Sequence, residues 1–162
     1  MVLRILTTGI LTMALCLAAC GERSDPVAEK SSQTEVVAES AAALARTPSP
    51  EGARVFFITP ANGDAGSNPI HIEFGIEGMA VVKAGDNQTD SGHHHLLIDT
   101  DLPDLGLPVP ADANHVHFGD GSTSTEITLE PGEHTLRLLL ADHRHIPHEP
   151  PVFSEPITVT VE

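Results

Sequence analysis

The sequence predicts an all-β domain, an immunoglobulin-like antiparallel β-sandwich of seven or eight short strands. Three observations predict this fold. After residue 51, short apolar runs are separated by glycine, proline, asparagine and aspartate. Several runs alternate apolar and polar residues, as in residues 157–161, which is typical of half-buried strands. No segment has a convincing helical period. Seven or eight short strands in about 110 residues favour a β-sandwich.

Turn chemistry supports the separation of these strands. Gly119, Asp120 and Gly121 lie between two apolar runs and favour a hairpin, while Pro131-Gly132 fits the central positions of a type II turn. The predicted strands are residues 54–58, 70–76, 79–83, 93–99, 115–118, 123–129, 134–141 and 152–161.

The amino terminus has the organisation of a bacterial lipoprotein leader. Residues 1–19 combine one basic residue, an apolar run and small residues, which predicts a secretory signal peptide. The run Leu17-Ala18-Ala19-Cys20 resembles a lipobox, in which the cysteine becomes the lipidated first residue of the mature protein. An ordinary signal peptide with an incidental Cys20 is the alternative. By the same resemblance, Gly21 after the cysteine predicts that the lipoprotein is anchored in the outer membrane and faces the periplasm.

Two further segments follow the leader. Residues 20–50, beginning with the lipidated Cys20, are rich in Ala, Ser, Glu, Thr and Pro, and we interpret them as a flexible tether. Residues 51–162 form the predicted β-sandwich domain. The lipid at Cys20 makes the membrane one expected partner.

Charge and aromatic content exclude one class of partner. The chain of 162 residues has 23 acidic and 8 basic side chains, a formal net charge of −15, and neither Trp nor Tyr. A polyanion gains no affinity from phosphate counterion release, and it offers almost no surface on which bases could stack. We therefore expect no nucleic-acid partner.

Histidine carries the functional signal, because the chain has ten histidines and most of them occur in groups. If strands alternate in direction, every second connection lies at the same end of the sandwich. This reasoning places His71 and three groups at one pole, and only His134 clearly at the other. The groups are His93 to His95, His115 with His117, and His143, His145 and His148.

A metal site is the chemistry that this convergence favours. Neutral imidazole is the commonest side-chain ligand of divalent transition metals, and three or four imidazole nitrogens suit Cu²⁺ or Zn²⁺. We expect His95 and His117 to be the strand-borne pair, with His145 and His148 reaching over from a loop and His94 in reserve. Such a site is expected to lose its metal as the pH falls through about 6.5, where free imidazole protonates.

Two other hypotheses compete with a metal carrier. The histidines could be structural or pH-responsive groups in a module that binds an envelope protein or another ligand. A hydrolase would need a metal with an open position, and we expect no enzyme. His148-Glu149 begins a His-Glu-x-x-His pattern, but Val152 stands at its last position and Pro150-Pro151 excludes the helix that this pattern needs. The sequence also has neither a nucleophile elbow nor a phosphate-binding loop.

Four stretches resemble the bacterial family called domain of unknown function 4399. They are Gly92-His93-His94-His95-Leu96-Leu97, His117-Phe118-Gly119, Pro131-Gly132-Glu133-His134 and His145-Ile146-Pro147-His148. The resemblance covers nearly all of residues 51–162 and leaves out the leader. It implies a small secreted or periplasmic β-domain whose motif histidines are His94, His95, His117, His134, His145 and His148.

The family name implies no activity, and the motif's inclusion of His134 suggests that at least one of its histidines serves turn structure. By analogy alone, small histidine-bearing β-sandwiches of the periplasm often handle copper. The sequence therefore predicts a membrane-tethered periplasmic protein that binds copper or zinc through a histidine cluster at one pole of a β-sandwich.

Overall fold

The structure, a computed structural model, describes residues 45–162. The predicted signal peptide, the predicted lipidation site Cys20 and residues 20–44 of the predicted tether lie outside the described residues. Within residues 45–162, there is no helix with the length and apolar character needed to span a membrane.

The described residues form nine strands separated by turns and loops. In chain order they are β1 (Arg54–Thr59), β2 (Asp64–Gly66), β3 (Ile70–Glu77), β4 (Ala80–Val81), β5 (Ser91–Ile98), β6 (His115–His117), β7 (Ser124–Ile127), β8 (Gly132–Ala141) and β9 (Ile157–Val161). Each predicted run overlaps a strand. The short strand β2 is the one that the apolar pattern missed, because all three of its residues are exposed.

The strands are divided between two sheets, which confirms the all-β prediction. One sheet has three strands in the order β1-β3-β7, and the other has six, in the order β2-β9-β8-β5-β4 with β6 also paired to β5. Most pairings are antiparallel, but β2 runs parallel to β9 and β4 runs parallel to β5. These two parallel pairings are the departure from the simple antiparallel pattern.

The two sheets face each other across one apolar core. Ile72 and Phe74 of β3 contribute from the small sheet, and alternate residues of β5 and β8 contribute from the large one. The core cluster comprises Val55, Ile72, Phe74, Leu96, Ile98, Phe118, Leu136, Leu138, Leu140, Val152 and Val159. This arrangement is sandwich-like, as the alternating pattern predicts.

Strand β5 is buried along its whole length, which decides where the histidines lie. Every residue from Ser91 to Ile98 is buried, so both faces of this strand are covered. One face meets the core between the sheets. The other meets a second apolar cluster of Leu97, Val109, Leu139 and Ala141, on which Leu102 and Leu105 also pack. The long loop between β5 and β6 therefore covers the outer face of the large sheet.

Residues 45–50 also belong to the packed part of the chain, although the sequence assigns them to the tether. Pro48 forms a parallel β-bridge with Glu149, and the N–H of Ser49 donates to the carbonyl of Glu149 at 3.1 Å. The segment that leads into β1 is thus attached to the loop that follows β8.

Candidate metal centre

Four histidine rings meet on the outer face of the large sheet, and we call them the four-histidine cluster. The ring centre of His93 is 4.9 Å from those of His95, His117 and His145. The ring centre of His117 is 5.1 Å from that of His95 and 4.8 Å from that of His145. The ring centres of His95 and His145 are 5.9 Å apart. No two ring centres of the cluster are therefore more than 5.9 Å apart.

Strand geometry explains three of the four positions. Successive side chains of a strand point to opposite faces, so His93 and His95 share one face of β5. His117 of β6 is directly opposite His95 in the antiparallel ladder, where side chains lie side by side. These three imidazoles are thus brought together by local pairing alone.

His145 reaches the cluster from the tight turn after β8. The Asp142 carboxylate accepts hydrogen bonds from the N–H groups of Arg144 and Ile146 at 2.8 and 3.0 Å, and the N–H of His145 donates to the Asp142 carbonyl at 2.8 Å. His145 itself has φ of +66°, in the left-handed region that few residues other than glycine adopt. A non-glycine residue held in this conformation is often part of a functional site.

The long loop between β5 and β6 fixes the same turn from the other side. The N–H of Val109 donates to the carbonyl of His145 at 2.8 Å. Because Val109 also packs in the outer apolar cluster, the position of His145 is tied to the packing beneath the site.

The nitrogen positions fit coordination of one ion. The Nε2 atoms of His93 and His95 are 3.2 Å apart. Two nitrogens bound tetrahedrally to Zn²⁺ at about 2.0–2.1 Å would be about 3.3 Å apart. One nitrogen from each of His93, His95 and His117 can be chosen so that all three lie within 4.8 Å of one another. These three residues form the tightest part of the cluster, and the ring centre of His145 lies 4.8 to 5.9 Å from the centres of their rings.

The ring centres can be compared with the separations expected for two coordination geometries. Four imidazoles placed tetrahedrally around Zn²⁺ have ring centres separated by about 5.2 Å in every pair. A square array would instead give four separations of about 4.5 Å and two of about 6.4 Å. Five of the six observed separations lie between 4.8 and 5.1 Å and the sixth is 5.9 Å. The four ring centres are therefore arranged close to a tetrahedron.

Burial leaves several ring nitrogens in need of a partner. His93 and His95 are at most 2% exposed, and the Nδ1 atom of each has no hydrogen-bond partner among residues 45–162. Buried polar atoms are normally paired, but an ion held at the Nε2 atoms of His93 and His95 would not supply a partner for these Nδ1 atoms. His117 is exposed and His145 partly so, which gives the cluster an open side through which an ion can enter.

The environment keeps the inner rings neutral, as metal ligands must be. Burial, together with the neighbouring imidazoles His145 and His117, lowers the pKa of His93 to about 4. Burial and the ring of His93 lower the pKa of His95 to about 2, and burial and His145 lower the pKa of His117. Rings that protonate only in acid keep their lone pairs free for a cation at neutral pH.

Of the five histidines predicted as ligands, three lie in the cluster and two lie elsewhere. The structure brings His95, His117 and His145 together. His94 points to the opposite face of β5, where its ring packs on Phe74 at 4.7 Å between ring centres. His148 is buried, with Nδ1 3.3 Å from the carbonyl oxygen of Thr47 and Nε2 without a hydrogen-bond partner among residues 45–162.

The predicted ligand set omits His93, which belongs to the cluster. The prediction that His71 lies at the same pole as the cluster is wrong. The alternation of β5 could have identified His93, because a residue two positions from His95 shares its face. His71 lines a cavity with Val159 and Thr160 instead. Val159 pairs with His134, so His71 lies near the His134 end of the sandwich.

His134 has a structural role that the geometry makes plain. Its Nδ1 lies 2.7 Å from a carboxylate oxygen of Asp99, and its Nε2 lies 2.8 Å from the carbonyl oxygen of Glu130. Both partners are acceptors, so only the doubly protonated ring satisfies both. The hydrogen bond to Asp99, followed by the one to Glu130, raises the pKa of His134. This pair joins the start of β8 to the end of β5.

The His134–Asp99 pair is expected to stabilise the fold most in weak acid. The raised pKa of His134 gives a stabilisation that is present below about 6.5 and is lost as the pH rises through the raised value. Burial raises the pKa of Asp99, but the hydrogen bond with His134 helps to lower it below its ordinary value. The contribution of the Asp99 carboxylate to stability is therefore lost only in strong acid. The change His134→Gln should therefore cost about 0.2–1 kcal/mol more at pH 5.5 than at pH 8.5 in urea unfolding with chelator present. The same change at exposed His71 is the control, and an equal cost at both pH values would contradict the assignment.

Gly119 is predicted to be essential for the position of the His117 ring. A methyl group added at this glycine would lie 2.3 Å from Cε1 and 2.7 Å from Nε2 of His117, so the ring must move. Because His117 is exposed, the ring can swing outwards without disturbing the core. We expect Gly119→Ala to weaken ion binding about tenfold, which is the lower end of the loss of metal affinity caused by changing residues that orient a ligand. Thermal stability should change little. Gly66→Ala, which meets nothing within 4 Å, is the matched control. Unchanged affinity in Gly119→Ala would show that His117 is not a ligand.

The fold and the cluster together define a class of protein, a small all-β domain whose outer sheet face carries histidines able to hold a metal ion. A family model described as "Domain of unknown function (DUF4399)" matches residues 72–162, which is more than half of the chain. The chain belongs to this family, as the motif resemblance indicates. Neither a curated protein nor a solved structure matches the chain.

Proposed function

We propose that this domain binds one divalent transition metal ion through His93, His95, His117 and His145. The observation that supports this most directly is the near-tetrahedral arrangement of the four rings, five of whose six separations lie between 4.8 and 5.1 Å. Four protonated rings would repel one another, whereas the nitrogen lone pairs of four neutral rings attract a cation. An ion explains why four imidazoles are gathered at one place.

Zinc is the ion whose preferred geometry fits best. Zn²⁺ is held tetrahedrally in closed protein sites, while Cu²⁺ prefers a tetragonal arrangement of nitrogen and oxygen ligands. The general order of affinity still places Cu²⁺ above Zn²⁺ at nitrogen sites, so we propose that the domain accepts both ions. The two cysteines of the chain are Cys16 and Cys20, which leaves residues 45–162 without the thiolate that Cu⁺ prefers.

The proposed role is that of an ion carrier or buffer rather than an enzyme. Four imidazoles would occupy all four positions of a tetrahedral ion and leave none for a substrate. The net charge of −15 favours the approach of cations, because an acidic surface raises their local concentration. We further propose that the lipid at Cys20 holds this carrier at the periplasmic face of the outer membrane.

Titration with Zn²⁺, Cu²⁺ and Co²⁺ tests this proposal. We expect one ion per chain, and we expect the Co²⁺ form to have the intense visible absorption of a tetrahedral site. A variant with all four cluster histidines changed to Gln should lose this binding. A control with His71 and His143 changed to Gln should keep it. Binding by the wild type that is no tighter than that of the four-histidine variant would overturn the proposal and leave a non-metal envelope interaction module.

A further inference from the structure

The chain immediately before β1 is attached to the loop that presents His145, and we call residues 45–49 the docking segment. The N–H of Glu149 donates to the carbonyl of Thr47 at 2.9 Å, and the N–H of Ser49 donates to the carbonyl of Glu149 at 3.1 Å. These bonds form the isolated parallel β-bridge between Pro48 and Glu149 that joins the docking segment to the loop.

Arg46 anchors the docking segment through all its guanidinium nitrogens. Its Nε donates to the carbonyl of Pro147 at 2.9 Å, while Nη2 contacts the carbonyl of His148 and Nη1 contacts the carboxylate of Glu149. The Arg46 side chain is only 17% exposed, so this is a packed contact rather than a mobile surface pair. One arginine thus holds three consecutive residues that follow the His145 turn.

Thr47 extends this attachment to the turn itself. Its hydroxyl donates to Oδ2 of Asp142 at 2.6 Å, and Oδ1 of the same carboxylate accepts the N–H groups of Arg144 and Ile146. The Asp142 side chain is only 1% exposed. The carboxylate therefore joins the docking segment on one side to the two amides that surround His145 on the other. Arg144 closes the contact by donating to the carbonyl of Ala45 at 2.6 Å.

We propose that the docking segment is a working part of the metal centre, in which Arg46 and Thr47 are positioning residues for His145. Because an ion needs His145 in place and the docking segment holds that turn, ion binding and docking strengthen each other. This inference rests on the proposed ion binding. The family match begins at residue 72, so it does not include the docking segment.

The connection has a consequence for a tethered carrier. The docking segment is the end of the predicted tether, so the link to the membrane and the ion site share one contact. Detachment of the segment lowers ion affinity, and loss of the ion favours detachment. The protein thereby couples the state of its tether to the release of its ion.

Variants of Thr47 in the full chain test the positioning role. Thr47→Val removes the hydroxyl at constant shape, and we expect it to weaken Zn²⁺ binding fivefold to tenfold, within the usual range of coupling between sites. Thr47→Ser keeps the hydroxyl and should restore the affinity to within about twofold of the wild type. Ser49→Ala removes an exposed hydrogen bond to Pro150 in the same segment and is the matched control. Equal affinities of Thr47→Val and the wild type would overturn the proposal.

Trypsin provides the reciprocal measurement, since cleavage after Arg46 requires this buried side chain to leave its contacts. Saturating Zn²⁺ should slow cleavage at Arg46 of the wild type by the same fivefold to tenfold factor that Thr47→Val loses in affinity. A small amide substrate in the same mixture controls for direct effects of Zn²⁺ on trypsin. Cleavage at Arg46 that is unaffected by bound Zn²⁺ would overturn the proposal.

The two proposals fail in different ways. If the wild type does not bind Zn²⁺ or Cu²⁺, the proposed function fails and this inference fails with it. If the wild type binds an ion but either the Thr47→Val affinity or the cleavage rate shows no coupling, ion binding stands and the docking segment has a structural role only.

Discussion

Changing His95 to leucine is expected to abolish tight ion binding, with a loss of affinity of roughly 100-fold or more. Outer hydrogen-bonding partners of metal ligands are already worth 10- to 100-fold, and His95 is proposed as a ligand itself. Its ring is 2% exposed and contacts three other rings of the four-histidine cluster. Leucine has a similar volume and fits a buried position, so the fold should survive the change. Isothermal titration with Zn²⁺ measures the loss.

The neighbouring residue supplies the sharpest control for this experiment. His94→Leu is the same substitution one position away, but it falls on the core face of β5 against Phe74. Both ring nitrogens of His94 lack hydrogen-bond partners among residues 45–162, so an apolar side chain should be tolerated or stabilising there. We expect its ion affinity to stay within about twofold of the wild type. A large loss in His94→Leu together with retained binding in His95→Leu would contradict the assigned cluster.

Ion binding is expected to survive mild acid. Four ligands with the ordinary imidazole pKa of about 6.5 would lose about 10,000-fold in affinity between pH 7.5 and pH 5.5, because each must release a proton. Burial lowers the pKa of His93 to about 4 and that of His95 to about 2, and it also lowers the pKa of His117. Protons therefore compete little at His93 and His95, and we expect a loss of at most about 100-fold.

Competition titrations with a chelator at pH 7.5, 6.5 and 5.5 measure this dependence. A peptide with four exposed histidines is the reference for unperturbed ligands. A loss in the protein as steep as that of the peptide would show that the inner rings are not held neutral. The expectation from sequence, that metal leaves as the pH falls through about 6.5, rests on free imidazole and does not include burial.

The ion-free domain should respond to acid in the same direction. A histidine buried in its neutral form has a lower pKa in the folded state than in the unfolded one. The unfolded chain therefore binds more protons below about pH 6.5, and stability falls as the pH falls. The lowered pKa of His94, to about 4 through burial, adds to this effect without involving the ion.

Several features of the fold follow from sequence pattern because they depend on short-range physics. The alternation of β9 predicts a half-buried strand, and its last three residues are buried, exposed and buried in turn. The turn at Gly121 has φ of +81°, which glycine adopts readily. The pairing of His95 with His117 follows from two strands that each carry histidines with a two-residue period. In each case the relevant residues are close in sequence or directly opposite in a ladder.

Other features depend on contacts that no local pattern reveals. The prediction that placed His71 at the pole of the cluster assumed strict alternation of strand direction, but β4 runs parallel to β5. One parallel pairing is enough to invalidate the count of strand directions before it. What alternation cannot give is which face of β5 meets the core between the sheets, since both faces of this strand are covered.

Sequence alone determined that this protein is an all-β domain with its histidines grouped at strand ends, because hydrophobic periodicity and turn residues act over a few positions. The tertiary structure alone decided which imidazoles meet. His145 joins the cluster because the Asp142 carboxylate, the loop at Val109 and residues 45–49 hold its turn from three sides. Contacts between segments up to about a hundred residues apart, such as Thr47 and Asp142, arise from the packing of the whole chain.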